Sequence, residues 1–175
     1  MAQLIISAVG PDRPGIVGEL SGHLHHLGGN ILDSRMVNLR GQFVMMILVE
    51  IPDDTSASIA RDLPSKAESM GLRVFIDQQP AITHPQPGLR YRLKTYSMDQ
   101  PGIVARLTNM LREHGVNIEE LAAHQESAAF AGSALFVTEM SLTIPPTAEL
   151  RRLRTDLQAV CNQLNCDVDL EPETD

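Results

Sequence analysis

Apolar positions along this chain keep two rhythms, and proline and glycine mark the changes between them. Leu4 to Val9 is a short apolar run that predicts a buried strand. Pro11-Asp-Arg-Pro14 reads as a turn, with Pro14 suited to the first turn of the helix that follows. That helix carries Ile16, Val17, Leu20, Leu24 and Leu27 on one face, and Gly28-Gly29 stops it. Asn30 to Leu39 predicts a strand, Arg40-Gly41-Gln42 a hairpin turn, and Phe43 to Ile51 a strand so apolar that it should be central and covered. Pro52-Asp-Asp-Thr55 should cap a second helix with Ile59, Leu63, Ala67 and Met70 inward, and Leu72 to Asp77 closes the set.

The same order then recurs. Leu89 to Met98 predicts a strand, and a helix follows with Ile103, Val104, Leu107, Met110 and Leu111 on one face. A strand runs from Val116 to about Gln125, a longer turn spans Glu126 to Gly132, and Ala134 to Ile144 is again a strand. Pro145-Pro146-Thr147 should cap a helix with Leu150, Leu153, Leu157, Val160 and Leu164 inward, before a strand from Asp167 to Leu170. Asp12 matches Asp99, Gly15 matches Gly102 and Asn30 matches Asn117, each pair 87 positions apart. Two copies of β-α-β-β-α-β predict an α+β protein of two ferredoxin-like domains, each an antiparallel sheet with both helices on one face. The expected limits are 1–79 and 89–171, with a stiff proline-rich linker at 80–88 and a frayed acidic tail at 172–175. Units of this size are marginal alone, so the copies should pack together or on a second chain as a homo-oligomer.

Bulk chemistry narrows the function. The net charge of −8 and pI of about 5.2 argue against direct nucleic-acid binding, which needs a basic face. Arg151, Arg152 and Arg154 are flanked by Glu149 and Asp156 and read as a solvated helix face. The two cysteines, Cys161 and Cys166, form no disulfide framework and read as core thiols. The N-terminus has no basic segment ahead of its short apolar run, and no stretch approaches membrane-span length, so a cytoplasmic location is expected.

Candidate chemistry sits in the duplicated loops, Asp12-Arg-Pro-Gly-Ile16 and Asp99-Gln-Pro-Gly-Ile103. Each stands where a helix N-terminus offers unpaired N–H groups to a carboxylate or phosphate. Glycine bares the backbone there, and a nearby acid suits an ammonium, so a free amino acid fits the pair. Turn chemistry with an aspartate cap explains the same residues. Asn30 and Asn117 either tolerate a left-handed turn or face a ligand near the loop. His23 and His26 share a helix face, yet no further ligand at metal-binding spacing joins them. No metal or cofactor site and no nucleophile–base set is visible. Gly18 and Gly22, four apart on the first helix, suggest a close approach by another helix or backbone.

The succession strand, Asp-x-Pro-Gly-Ile, helix, Gly-x-Asn-Ile strand resembles the ACT domain, a small-molecule-sensing plait. Ala8 to Val17, Gly29 to Arg35 and Gly41-Gln-Phe43 resemble the glycine cleavage system transcriptional repressor family over about residues 3–170. The resemblance implies a non-enzymatic regulator that binds a DNA-binding activator protein and is relieved by glycine. It carries over Asp12, Pro14, Gly15, Ile16 and Asn30 as the better ligand site, at a seam between paired domains. Asp99, Pro101, Gly102, Ile103 and Asn117 form the weaker one, because Gln100 replaces Arg13 and Glu120-Leu-Ala122 replaces Asp33-Ser-Arg35. Two alternatives are a module of this fold that senses another amino acid for an enzyme, and a small enzyme on the same plait.

Overall fold

The computed structural model describes residues 1–78, 87–127 and 134–173, apart from the side chains of Ala57, Ser127 and Ala134. The chain divides into two compact units, Met1–Thr83 and His84–Asp175. The first contains β1 (Ala2–Pro11), α1 (Ile16–His26), β2 (Asn30–Leu39), β3 (Gln42–Ile51), α2 (Ser56–Ser69) and β4 (Arg73–Gln78). The second contains β5 (Leu89–Met98), α3 (Ile103–Glu113), β6 (Asn117–Ser127), β7 (Ala134–Ile144), α4 (Leu150–Leu164) and β8 (Cys166–Pro172). The sheets run β2-β3-β1-β4 and β6-β7-β5-β8, and every pairing is antiparallel. This is the expected plait, made twice.

Strand alternation explains the cores. Leu4, Ile6 and Ala8 on β1 pair in register with Val49, Ile47 and Met45 on β3, so all six point to one face. Ile16, Leu20 and Leu24 of α1 and Ile59, Leu63 and Ala67 of α2 pack against them. In the second unit Leu107, Met110 and Leu111 join Leu153, Leu157 and Cys161 over Leu93, Met140 and Leu142. Both cysteines are buried, and burial pushes the Cys161 thiol up to about 11. Even a bulge is duplicated: pairing shifts between Ile31 and Asp33 in β2 and between Ile118 and Glu120 in β6.

Several expectations need correction. β3 is central but covered on one face only, because both helices lie on that face; on the other, Met46 remains 54% exposed, with Val37, Leu39 and Phe75 also open. The matching face of the second unit is charged, with Lys94 bonded to Glu139 at 2.7 Å. Pro14 precedes the helix instead of lying in its first turn, since Gly15 is the N-cap. α4 is preceded by Glu149 in an extended conformation, with no side-chain cap from Thr147. β8 extends to Pro172, and the Glu173 N–H donates to the Arg90 carbonyl at 3.0 Å, so the sheet takes up the start of the expected tail. Residues 80–86 of the expected linker, 128–132 of the expected turn and 174–175 of the expected tail lie outside the described residues.

Candidate functional site

Each loop is set by one backbone geometry. Gly15 has φ 88° and Gly102 φ 92°, the left-handed region that costs an L-residue about 1–2 kcal/mol. The chain can then turn abruptly from strand to helix. The first intrahelical bonds run from Glu19 N–H to the Gly15 carbonyl and from Arg106 N–H to the Gly102 carbonyl, both 2.9 Å. The amides ahead of them, Val17 and Gly18 in α1, carry the partial positive charge of the helix end.

The aspartates are tied across the sheet to the strand that follows the helix. The Asn38 side-chain amide donates to Asp12 Oδ2, while Asn38 Oδ1 accepts from Gly41 N–H at 3.0 Å. Asp12 N–H donates to the Gly41 carbonyl at 2.8 Å. Gly41 can take part because Arg40 and Gly41 have φ 51° and 84°, the two left-handed residues of a tight hairpin. In the second unit the Gln125 amide donates to Asp99 Oδ2 at 2.6 Å. Asn38 and Gln125 are themselves 87 positions apart. Neither was singled out in the sequence, although two side-chain amides at matched positions were a readable signal. Neither aspartate acts as a helix cap.

The copies part company beside the loop. Arg13 grips both oxygens of Glu19, at 2.5 and 2.8 Å. Those bonds, ahead of the opposing effect of burial, hold the Glu19 carboxyl below its ordinary range. In the second unit Gln100 donates instead to the Leu164 carbonyl at the end of α4, at 2.5 Å. Arg106 stands where Glu19 does and donates to Gln163 Oε1. The first loop therefore has an acid in its helix's opening turns, and the second a base.

Of the remaining candidate residues, Pro14 and Pro101 are exposed at the loops. Ile16 and Ile103 are 2% exposed, and their side chains pack in the two cores. Asn30 and Asn117 are not across from their loops. Asn30 pairs with Glu50, whereas Leu39, at the loop end of the same strand, pairs with Gln42. The length of β2 puts Asn30 roughly 30 Å from Asp12 within one unit. Asn117 bonds Glu119 at 2.7 Å, and that bond leads in lowering the Glu119 pKa.

The other features of α1 and α3 also resolve. A Cβ at Gly18 or Gly22 would meet nothing within 4 Å, so no described part of the first unit closes on either glycine. No cluster of three metal-ligating side chains occurs among the described residues. His114 bonds Asp156 at 3.0 Å, and Arg152 lies 3.7 Å from the same carboxylate. Among the described residues no helix is long and apolar enough to cross a membrane.

Two βαββαβ units, each with a left-handed glycine at the first helix and an aspartate tied beside it, define a tandem ACT-domain protein. The first unit belongs to the ACT-domain family: residues 2–77 match the ACT domain model. It resembles the glycine cleavage system transcriptional repressor of Escherichia coli (strain K12), 27% identical over 93% of this chain and 85% of the relative. A UPF0237 protein of Methanococcus maripaludis is 39% identical over 45% of this chain and 90% of its own length. The crystal structure of an unknown protein from Galdieria sulphuraria superposes with a TM-score of 0.83 at 30% identity, covering 99% of both chains. That of a protein titled a glycine cleavage system transcriptional repressor shares the fold, with a TM-score of 0.75 at 21% identity over 99% of this chain and 98% of that one.

Proposed function

We propose that this chain is a non-enzymatic, glycine-responsive regulator that represses glycine cleavage genes indirectly, by binding a DNA-binding activator protein in the cytoplasm. The observation that carries this reading is the first loop, where the start of α1 is exposed by Gly15 beside Asp12. The effector's carboxylate takes the amides of Val17 and Gly18, and its ammonium takes Asp12 Oδ1. A carboxylate can accept several donors, so the Asn38 bond on Oδ2 leaves that oxygen available. Because Asn38 also holds Gly41, binding at Asp12 loads the β2–β3 hairpin. Ligand and partner then compete if the hairpin's two arrangements differ in affinity for each. Asn30, at the far end of its own sheet, joins such a site only where a second copy of the chain brings it in.

Calorimetric titration of glycine into the full chain tests the effector, with alanine and serine as comparisons. Saturable glycine heat that Asp12→Ala abolishes supports the reading, and heat from another amino acid alone moves it to a different effector. Co-purification with a DNA-binding regulator, lost on adding glycine, supports the partner. A mobility shift of DNA by the pure protein contradicts the indirect mechanism.

A further inference from the structure

We propose that the groove between α1 and α2 is a binding site for a small oxyanion, such as a phosphate group, held by Lys66, His23 and His26. The groove has a volume of about 230 Å³ and is lined by Glu19, Gly22, His23, His26 and Lys66. A Cβ at Gly22 would meet nothing within 4 Å, so the groove is open at that position.

Its charge balance favours an anion. Both oxygens of Glu19 are gripped by Arg13. Asp62, one turn before Lys66 on α2, is bonded by Arg61 at 2.9 Å. Lys66 and His26 make no ion pair among the described residues, and His25 meets the edge of the His26 ring. His23 supplies the second, independent sign. Its Nε2 is shielded from solvent and has no hydrogen-bond partner among the described residues. Buried polar atoms nearly always have one, so this nitrogen of a half-buried ring has hydrogen-bonding capacity left for a bound group. Imidazole N–H groups and a lysine ammonium are donors that a phosphate accepts.

The second unit carries the same groove with the chemistry removed. Arg106, Asn109, Met110 and Glu113 line it at the positions of Glu19, Gly22, His23 and His26. On the other wall, the matching buried pairs Leu63/Leu157 and Ala67/Cys161 put Val160 at the place of Lys66. Asp156 there is engaged by His114 and Arg152, and Arg106 by Gln163. Nothing in the fold requires the basic lining of the first groove.

The test is a titration of the full chain, carrying ¹³C-labelled histidine, with inorganic phosphate at constant ionic strength balanced by chloride, near pH 6. The proposal expects saturable shifts at the rings of His23 and His26, with His114 unmoved as the internal control. It expects Lys66→Met, at an exposed position, to weaken the dissociation constant about fivefold, the effect of one partly screened charge. His23→Met, which copies Met110, should abolish the His26 response. Shifts that do not saturate, that move His114 equally, or that Lys66→Met leaves unchanged overturn the site, independently of any result with glycine.

Discussion

Asp99 Oδ2 accepts a 2.6 Å hydrogen bond from the Gln125 side-chain amide, and Asp12 Oδ2 accepts the matching bond from Asn38. The tie therefore belongs to the repeated unit, and in each copy it joins the loop to the second strand. Its worth is set by exposure: a charge-assisted bond at the surface contributes on the order of 0.5–1 kcal/mol. A double-mutant cycle with Asp99→Ala and Gln125→Ala, read by urea unfolding, should return a coupling of that order. Strict additivity would show that the bond carries no weight in solution.

Gly102→Ala should cost about 1–2 kcal/mol, because φ 92° is unfavourable for any L-residue while the added methyl meets nothing within 4 Å. The loss is purely conformational, so Gly102→Asn should recover part of it. Thermal unfolding of the two variants measures the difference. Equal stability of Gly102→Ala and the parent would mean that the loop relaxes out of the left-handed region.

Pro64 lies inside α2, where it can donate no bond to the preceding turn, and the corresponding position in α4 is Gln158. Pro64→Gln should stabilise the first unit by about 1–3 kcal/mol, since proline is the poorest residue of a helix interior. Chemical denaturation reads the gain. A loss would mean that the exposed proline ring makes packing contacts that glutamine cannot replace.

His23 gives the first unit a pH dependence. Burial first, then the charges of Lys66 and His26, lower its pKa against a smaller opposing effect of Asp62. The fold thus keeps the neutral ring, and the unfolded chain takes up the proton first as pH falls below about 6.5. Stability is lost from there down to the lowered folded value and is level below it. In phosphate-free buffer, His23→Met should flatten this part of the stability–pH curve, as denaturation midpoints between pH 7.5 and 5 would show. Parallel curves for variant and parent would remove His23 from the account.

Periodicity made the fold legible because every buried stripe obeys it. β2 and β5 have the bounds expected from the pattern, and Leu20, Leu24, Leu107 and Leu111 face the cores as their spacing requires. Residue type was a weaker guide wherever a side chain's direction depends on the folded sheet. Ile16 lies in the loop motif yet points inward, and Asn30 lies near Asp12 in sequence yet at the opposite end of the sheet. Asn38 and Gln125 looked like ordinary strand residues because the partner of each is a loop 26 positions away. The loop motif itself was legible for a different reason. A left-handed turn at a helix start demands glycine, and two copies of that demand leave the same letters twice.

The central claim is that the first loop senses an amino acid, and an amide-resolved NMR titration of the full chain with glycine tests it most directly. The account predicts saturable changes at Gly15, Val17 and Gly18, propagated to Asn38 and Gly41, and lost in Asp12→Ala. A titration to high millimolar glycine that leaves those five amides still, or moves them equally in Asp12→Ala, would contradict it.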